Sequence, residues 1–172
     1  MNTLKGANIQ LRALEPEDLQ FLFDIENDES FWEISHTQTP FSKYILKQYL
    51  ENAHLDIYTV KQLRLIIEKD NKPIGMIDLF DFNALHKRAG IGILIQEQHQ
   101  KNGAASETLE LLTQYCFTHL SLHQLYANIT SDNEKSISLF KKHQFKEIGV
   151  KKDWIFSNNS FKDEILYQLI HE

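Results

Sequence analysis

The chain has 172 residues, of which 42% are apolar and 24% charged, and its formal net charge at pH 7 is −6. This length suits one domain with a sizeable core, and the acidic balance argues against general nucleic-acid binding. It favours either a cationic partner or a solvated acidic surface. A single cysteine, Cys116, excludes a disulfide within the chain, so a reducing compartment is expected. No stretch has the apolar length of a signal peptide or membrane span, and the expected location is the cytoplasm.

The N-terminal third predicts one strand and two helices. Strict alternation predicts a strand over 8–13, and Pro16 followed by acids is typical of a helix start. A second helix is expected after Ser42. The expected buried residues are Leu19, Leu22 and Phe23 in the first helix, and Ile45, Leu46, Tyr49, Leu50 and Ala53 in the second.

Three strands in the middle of the chain lead into a glycine-containing turn and a long helix. The strands are predicted over 63–69, 74–81 and 89–95, and the helix begins at Gly103. Its apolar positions are Ala105, Leu109, Leu112 and Cys116. A strand, a turn of small residues and a helix start direct free backbone N–H groups and the positive end of the helix dipole at an anion.

The remaining elements complete a mixed α/β layer of seven strands and four helices. A strand over 123–130 is followed by a short helix after Asn133, and by two final strands over 146–156 and 161–170. The histidines are scattered. His119 and His123 are four residues apart, but a strand is expected to begin between them, so no metal site is predicted.

Two segments carry a family resemblance. Residues 100–105, Gln-Lys-Asn-Gly-Ala-Ala, match the pattern [Gln/Arg]-x-x-Gly-x-[Gly/Ala] after a strand, and residues 133–145 are similar to Asn-x-x-[Ser/Ala]-x-x-x-Tyr-x-x-x-Gly-Phe. In this order and spacing the chain resembles the GNAT superfamily of acyl-CoA-dependent N-acyltransferases over 1–172, as a single domain. The resemblance implies an α/β fold with a mostly antiparallel sheet of about seven strands, about four flanking helices and a splayed central strand pair.

The resemblance also implies where acetyl-CoA, the cosubstrate, would bind. The pantetheine arm would pair with the backbone of Ile93, Leu94 and Ile95, as an added strand does. Asn133 would hydrogen-bond the pantetheine, while Phe140 and Lys142 would flank its thiol and phosphate ends. The pyrophosphate would lie on Gln100, Lys101, Asn102, Gly103, Ala104, Ala105 and Ser106.

Two departures from the family pattern concern the end of the second motif. Phe140 stands where the family often has a tyrosine that protonates the departing thiolate, and His143-Gln144 replaces Leu-Gly. A thiol with a pKa of about 8.5 is only ~2 kcal/mol from its anion at neutral pH, so water or another hydroxyl such as that of Tyr126 could serve instead.

The acceptor amine presents a larger proton problem. Deprotonating an alkylamine with a pKa of about 10.4 costs ~4–5 kcal/mol at neutral pH, so carboxylates are expected beside the acceptor. Asp78 is the first candidate catalytic residue, because it lies on the strand next to the cofactor strand. Glu33, in an acidic connector, is the second.

Residues 76–89 are similar to the β-hairpin of spermidine/spermine and diamine N-acetyltransferases, although residues 30–36 lack their aromatic and paired-glutamate pattern. The favoured hypothesis is therefore direct acetyl transfer from acetyl-CoA to a small cationic amine, without an acyl-enzyme. Acetylation of a protein N-terminus, as in ribosomal-protein acetyltransferases, and a CoA-binding regulatory module are the alternatives. Relatives form dimers or larger rings, which leaves a homo-oligomer open.

Overall fold

The structure, a computed structural model, describes residues 3–172. In that range seven strands form one sheet and six α-helices pack against it or follow its edges. The strands are β1 (Gln10–Arg12), β2 (Leu63–Lys69), β3 (Lys72–Asn83), β4 (Arg88–Ile95), β5 (Gln124–Thr130), β6 (Lys146–Ser157) and β7 (Ser160–Ile170). The helices are α1 (Leu19–Glu26), α2 (Trp32–Ser35), α3 (Lys43–Glu51), α4 (Ile57–Val60), α5 (Ala104–Thr118) and α6 (Glu134–Lys142).

The strand order is β1-β2-β3-β4-β5-β7-β6, and every neighbouring pair is antiparallel except β4 and β5. Those two central strands are parallel because α5 connects them across one face of the sheet. The predicted mixed, mostly antiparallel seven-stranded sheet is confirmed.

The sheet separates two apolar cores. The larger lies under α5 and α6 and includes Leu109, Leu112 and Cys116, each at most 1% exposed. The smaller lies under α1 and α3, where Leu22 and Leu46 pack against the other face. Burial of each large apolar side chain contributes about 1.5–3 kcal/mol, so both layers hold the sheet in place.

Four helices of eight or more residues lie where the sequence predicts them, but α2 and α4 were not predicted. Each has four residues, too few for an apolar period to show in the sequence. A local cap accounts for α4: the Asp56 carboxylate accepts hydrogen bonds from the N–H groups of Tyr58 and Thr59.

The predicted buried faces of the first two helices are partly wrong. In α1 the fully buried residues are Phe21, Leu22 and Ile25, whereas Leu19 and Phe23 are only partly buried at the border of the smaller core. In α3, Ile45 is 48% exposed. The helix ends at Glu51, which leaves Ala53 outside it.

Candidate active site

The two central strands separate soon after they pair. Pairing of β4 with β5 is limited to Arg88–Gln124, Ala89–Leu125 and Gly90–Tyr126. Beyond these pairs, residues 91–95 are paired with β3 on one side only. Their backbone groups on the β5 side therefore form an open strand edge, to which an extended, amide-bearing chain can add.

A cavity of about 770 Å³ opens along this edge. It is bounded by the end of β4, the start of α5, the loop before α6 and the segment around α2. Ten of the thirteen residues predicted to bind the cofactor line it: Ile93, Leu94, Ile95, Gln100, Lys101, Gly103, Ala105, Ser106, Asn133 and Lys142.

The other three predicted cofactor residues do not line this cavity. The Asn102 side chain accepts a hydrogen bond from the Ala104 N–H at 3.2 Å, and Ala104 itself is 4% exposed. Phe140 is 3% exposed, packs edge-to-face on Phe145 at 5.0 Å, and borders a small adjoining cavity of about 60 Å³ between β4 and β5.

The start of α5 offers hydrogen-bond donors to this cavity. Gly103 is the N-cap residue with φ of +86°, in the left-handed region that glycine enters without strain. Because they lie in the first turn of the helix, the N–H groups of Ala105 and Ser106 have no acceptor within it. Three lysines, Lys101, Lys135 and Lys142, add positive charge around this end. The arrangement suits a diphosphate.

A hydroxyl and an imidazole meet behind the same helix start. Ser106 Oγ lies 2.8 Å from Nε2 of His143, the residue that follows α6. Burial is the main influence lowering the pKa of His143, assisted by Lys142 and opposed by Glu110.

Two carboxylates that line the cavity are bound by one lysine. Lys162 on β7 places its Nζ 2.8 Å from Glu33 and 2.7 Å from Asp132, both of which line the cavity. The hydrogen bond from Lys162 is the main cause of the lowered pKa of both carboxyls.

Asp78 lies outside both cavities, on the face of β3 that packs toward α1 and α3. Its two oxygens accept hydrogen bonds from Nε and an Nη of Arg64 at 2.7 and 2.8 Å, and Arg64 also contacts Glu26. The residue opposite Asp78 on β4 is Gly92, above which a Cβ would meet no atom within 4 Å. The carboxylate, one third exposed, thus lies beside open space next to the cleft.

Tyr126 lies at the point where β4 and β5 separate. Its ring packs edge-to-face against the ring of Phe80, with 5.8 Å between the two ring centroids. It does not line either cavity. Burial, together with the nearby Asp81, raises the pKa of its hydroxyl.

Sequence reasoning missed two charged residues of β7. One is Lys162, and the other is Glu164, which is 4% exposed, pairs with Lys151 at 2.7 Å and borders the small cavity beside Gly92. The alternation of Lys162 and Glu164 on one face of a strand was visible in the sequence. Which cavity that face meets depends on the sheet order.

Among residues 3–172, no group of three or more His, Cys, Asp or Glu side chains is placed to hold a metal ion. No helix in the same range has the length and apolar character needed to cross a membrane.

The splayed strands and the anion-binding helix start correspond to a known family. A sequence profile described as the acetyltransferase (GNAT) domain matches residues 8–146. The spermidine N(1)-acetyltransferase of Escherichia coli strain K12 is 29% identical over 161 residues, covering 92% of this chain and 83% of that protein.

Solved structures extend the likeness to the whole sheet. Spermidine N-acetyltransferase from Vibrio cholerae in complex with CoA and spermine superimposes with a TM-score of 0.87 at 26% identity, covering 96% of both chains. A dodecameric structure of the same enzyme has a TM-score of 0.80 at 28% identity, covering 96% of this chain and 95% of that chain.

The fold and the cleft therefore define a transferase that uses an acyl-CoA donor, and the chain belongs to the GNAT acetyltransferase family. It is an acetyl-CoA-dependent N-acetyltransferase.

Proposed function

We propose that this enzyme transfers the acetyl group of acetyl-CoA to a primary amine of a small polycation such as a polyamine. One observation carries the proposal: the same cavity is lined by the N–H groups at the start of α5 with three lysines and, separately, by Glu33 and Asp132, which Lys162 holds together. A diphosphate and a substrate cation can thus bind the same cleft without competing. The similarity to spermidine acetyltransferases supports this substrate class.

The proposed reaction is a direct attack. The amine nitrogen forms a bond to the thioester carbonyl carbon, the carbon–sulfur bond breaks, and CoA leaves as a thiolate that takes a proton from water. A covalent acyl-cysteine is disfavoured because Cys116 is 0% exposed and burial raises the pKa of its thiol to about 12.

Two carboxylates are proposed to handle the substrate cation. Glu33 binds an ammonium group in the position that Lys162 occupies in the free protein. Asp78 receives the proton of the attacking amine through water in the open space above Gly92, and Arg64 fixes the direction of its oxygens.

We also propose that residues 1–172 act as one domain, since β6 and β7, beyond the matched profile, carry Lys151, Lys162 and Glu164.

The test is a free-CoA release assay with purified protein and a panel of acceptors: spermidine, spermine, putrescine, an aminoglycoside and a peptide with N-terminal alanine. A kcat/KM at least tenfold higher for a polyamine than for the peptide supports the proposal. Preference for the peptide would replace it with N-terminal acetylation. CoA binding without release on any acceptor would indicate a regulatory module, which the buried phenyl ring of Phe140 favours because it supplies no acid.

The role of Asp78 has its own test. Asp78→Asn should lower kcat/KM for the best amine by about 10²-fold or more, the usual contribution of a positioned acid or base. Asp70→Asn, in an exposed turn, is the control. If Asp78→Asn keeps wild-type kcat/KM in a folded protein, Asp78 has no part in proton transfer.

Self-association is proposed as well, with the β6–β7 hairpin as the contact surface. This hairpin exposes Ile148, Trp154, Phe156 and Phe161, each more than half exposed, and β6 is an edge strand. The dodecameric relative supports assembly of identical chains. Light scattering after size exclusion should give a mass that falls in Trp154→Lys; a wild-type monomer at micromolar concentration contradicts the proposal.

A further inference from the structure

His143 contacts the cofactor end of the cleft from behind. Its Nε2 lies 2.8 Å from Oγ of Ser106, the third residue of α5, and Ser106 lines the large cavity while His143 does not. Residue 143 is also one of the two positions where this chain departs from the Leu-Gly pair of the family pattern.

The end of α6 fixes the position of this imidazole. The Phe145 N–H donates to the Phe140 carbonyl and the Gln144 N–H to the Lys141 carbonyl, both at 3.0 Å, which is the Schellman pattern of hydrogen bonds. Gln144 takes the left-handed conformation that this motif requires, with φ of +69°. Both hydrogen bonds span residue 143, so the backbone of His143 is fixed, and its side chain is half-buried.

We propose that His143 is a positioning residue for acetyl-CoA: it donates Nε2–H to Ser106 Oγ and so directs the Ser106 hydroxyl proton at a cofactor phosphate. The inference rests on the proposed placement of the diphosphate at the start of α5. Phosphate oxygens only accept hydrogen bonds, so a serine that contacts one must donate its single proton to it. The bond between Ser106 and His143 then has to be donated by the imidazole.

The charges around His143 are compatible with this arrangement. Burial is the main cause that holds the pKa of His143 below its usual value, Lys142 on α6 lowers it further, and Glu110 on α5 opposes the shift. A neutral ring with its proton on Nε2 is sufficient. The imidazole then orients the hydroxyl by donating one hydrogen bond to it, while Lys142 supplies charge directly at the cavity.

The test compares His143→Leu, which installs the family's usual residue, with His143→Gln, whose amide can still donate. Binding of CoA by calorimetry should weaken about threefold to tenfold in His143→Leu, the range expected for one hydrogen bond, and stay within about twofold of wild type in His143→Gln. At saturating acetyl-CoA, kcat should not change. Activity with S-acetyl-pantetheine, which lacks the diphosphate, should be equal in all three proteins.

Ser106→Ala gives a second line of evidence that does not depend on the fold tolerating leucine. It should weaken CoA binding by a similar factor, and adding His143→Leu to it should weaken binding no further. Equal affinity of His143→Leu and wild type overturns the inference, as does a loss that glutamine fails to restore or that also appears with S-acetyl-pantetheine. Since the calorimetric measurements of CoA affinity need no amine, they are independent of the acceptor. A wild-type protein that does not bind CoA would instead overturn the cofactor placement itself.

Discussion

The cofactor end of the cleft, at the start of α5, and the proposed acceptor end, where lysines bind its carboxylates, are built in opposite ways. At the cofactor end, the start of α5 presents backbone N–H groups without an intrahelical acceptor, with Lys101, Lys135 and Lys142 nearby. At the acceptor end the acidic groups already have basic partners within the chain: Lys162 binds Glu33 and Asp132, and Lys151 binds Glu164.

This difference indicates two kinds of recognition. The cofactor end can gain hydrogen bonds when a diphosphate arrives, because the N–H groups of Ala105 and Ser106 have no acceptor within α5. At the acceptor end, a substrate ammonium can bind Glu33 and Asp132 only by replacing the ammonium of Lys162. We therefore expect tight, charge-dependent binding of CoA, and weaker, more selective binding of the amine.

The largest expected effect comes from placing a negative charge at the cofactor end. Ala105→Glu puts a carboxylate at the first turn of α5, on the cavity wall. Like charges in contact cost several kcal/mol, so CoA binding by calorimetry should weaken by about 10²-fold or more. Ala105→Gln, similar in size but uncharged, is the control and should lose much less. Equal losses of CoA affinity in both variants would mean that the size of the new side chain, not its charge, weakens binding, and that no phosphate lies beside residue 105.

The next effect concerns the acceptor end alone. Glu33→Gln should lower kcat/KM for spermidine by about tenfold to a hundredfold, the range for a hydrogen bond to a charged group, and leave the affinity for CoA unchanged. Glu29→Gln, exposed on the same segment, should behave as wild type. A matching loss of CoA affinity would show that the two ends are not separate.

A smaller effect, an improvement in polyamine binding, is expected when Lys162 is removed. Lys162→Met leaves Glu33 and Asp132 free for the substrate, so KM for a polyamine should fall by about threefold, within the range for one exposed ion pair. Lys152→Met, which removes an exposed lysine paired with Asp163 on the same hairpin, is the matched control. If KM rises in Lys162→Met only, the lysine helps to build the site and does not compete for it.

The contacts of Lys162 with Glu33 and Asp132 also make the stability of the fold depend on pH. Lys162 lowers the pKa of Glu33 and of Asp132, whose usual values are 4.5 and 3.8. A lowered carboxyl pKa stabilises the fold above the usual value, and that stability is lost as the pH falls through the lowered value. Wild type should therefore melt at a higher temperature than Lys162→Met at pH 7, and the difference should shrink as the pH falls below these usual values and disappear once both carboxyls are protonated in the folded protein. A difference that persists at low pH would indicate packing of the lysine stem instead.

The two ends also differ in how far the sequence predicts them. The cofactor end comes from neighbouring residues, in a strand, a turn and a helix start over 93–106, so a short motif was enough to find its cavity lining. Two predicted residues of this range, Asn102 and Ala104, do not line the cavity, because the Asn102 side chain caps the Ala104 N–H and Ala104 is buried.

The acceptor end depends on contacts across the whole fold. Glu33 contacts Lys162, which lies 129 positions further along the sequence. The helix that carries Glu33, α2, is too short to show an apolar period in the sequence. Lys151 meets Glu164 only through a β6–β7 register that is shifted at two places. Alternation along one strand predicts which residues share a face, but it cannot place such a shift.

The smallest effect on activity is expected at Gln144, a non-glycine residue with φ of +69° at the end of α6. Gln144→Gly relieves a left-handed conformation and should stabilise the fold by about 1 kcal/mol, which is roughly 2–4 °C in melting temperature for a chain of this size. Because the Schellman turn is kept, His143 should stay in place and CoA affinity should not change. Gln48→Gly, within α3, is the control with the opposite sign, since glycine in a helix interior destabilises by about 1 kcal/mol. If Gln144→Gly stabilises the fold but weakens CoA binding, the turn needs a side chain at 144 to hold the imidazole, and the cofactor end depends on α6 more than its backbone bonds suggest.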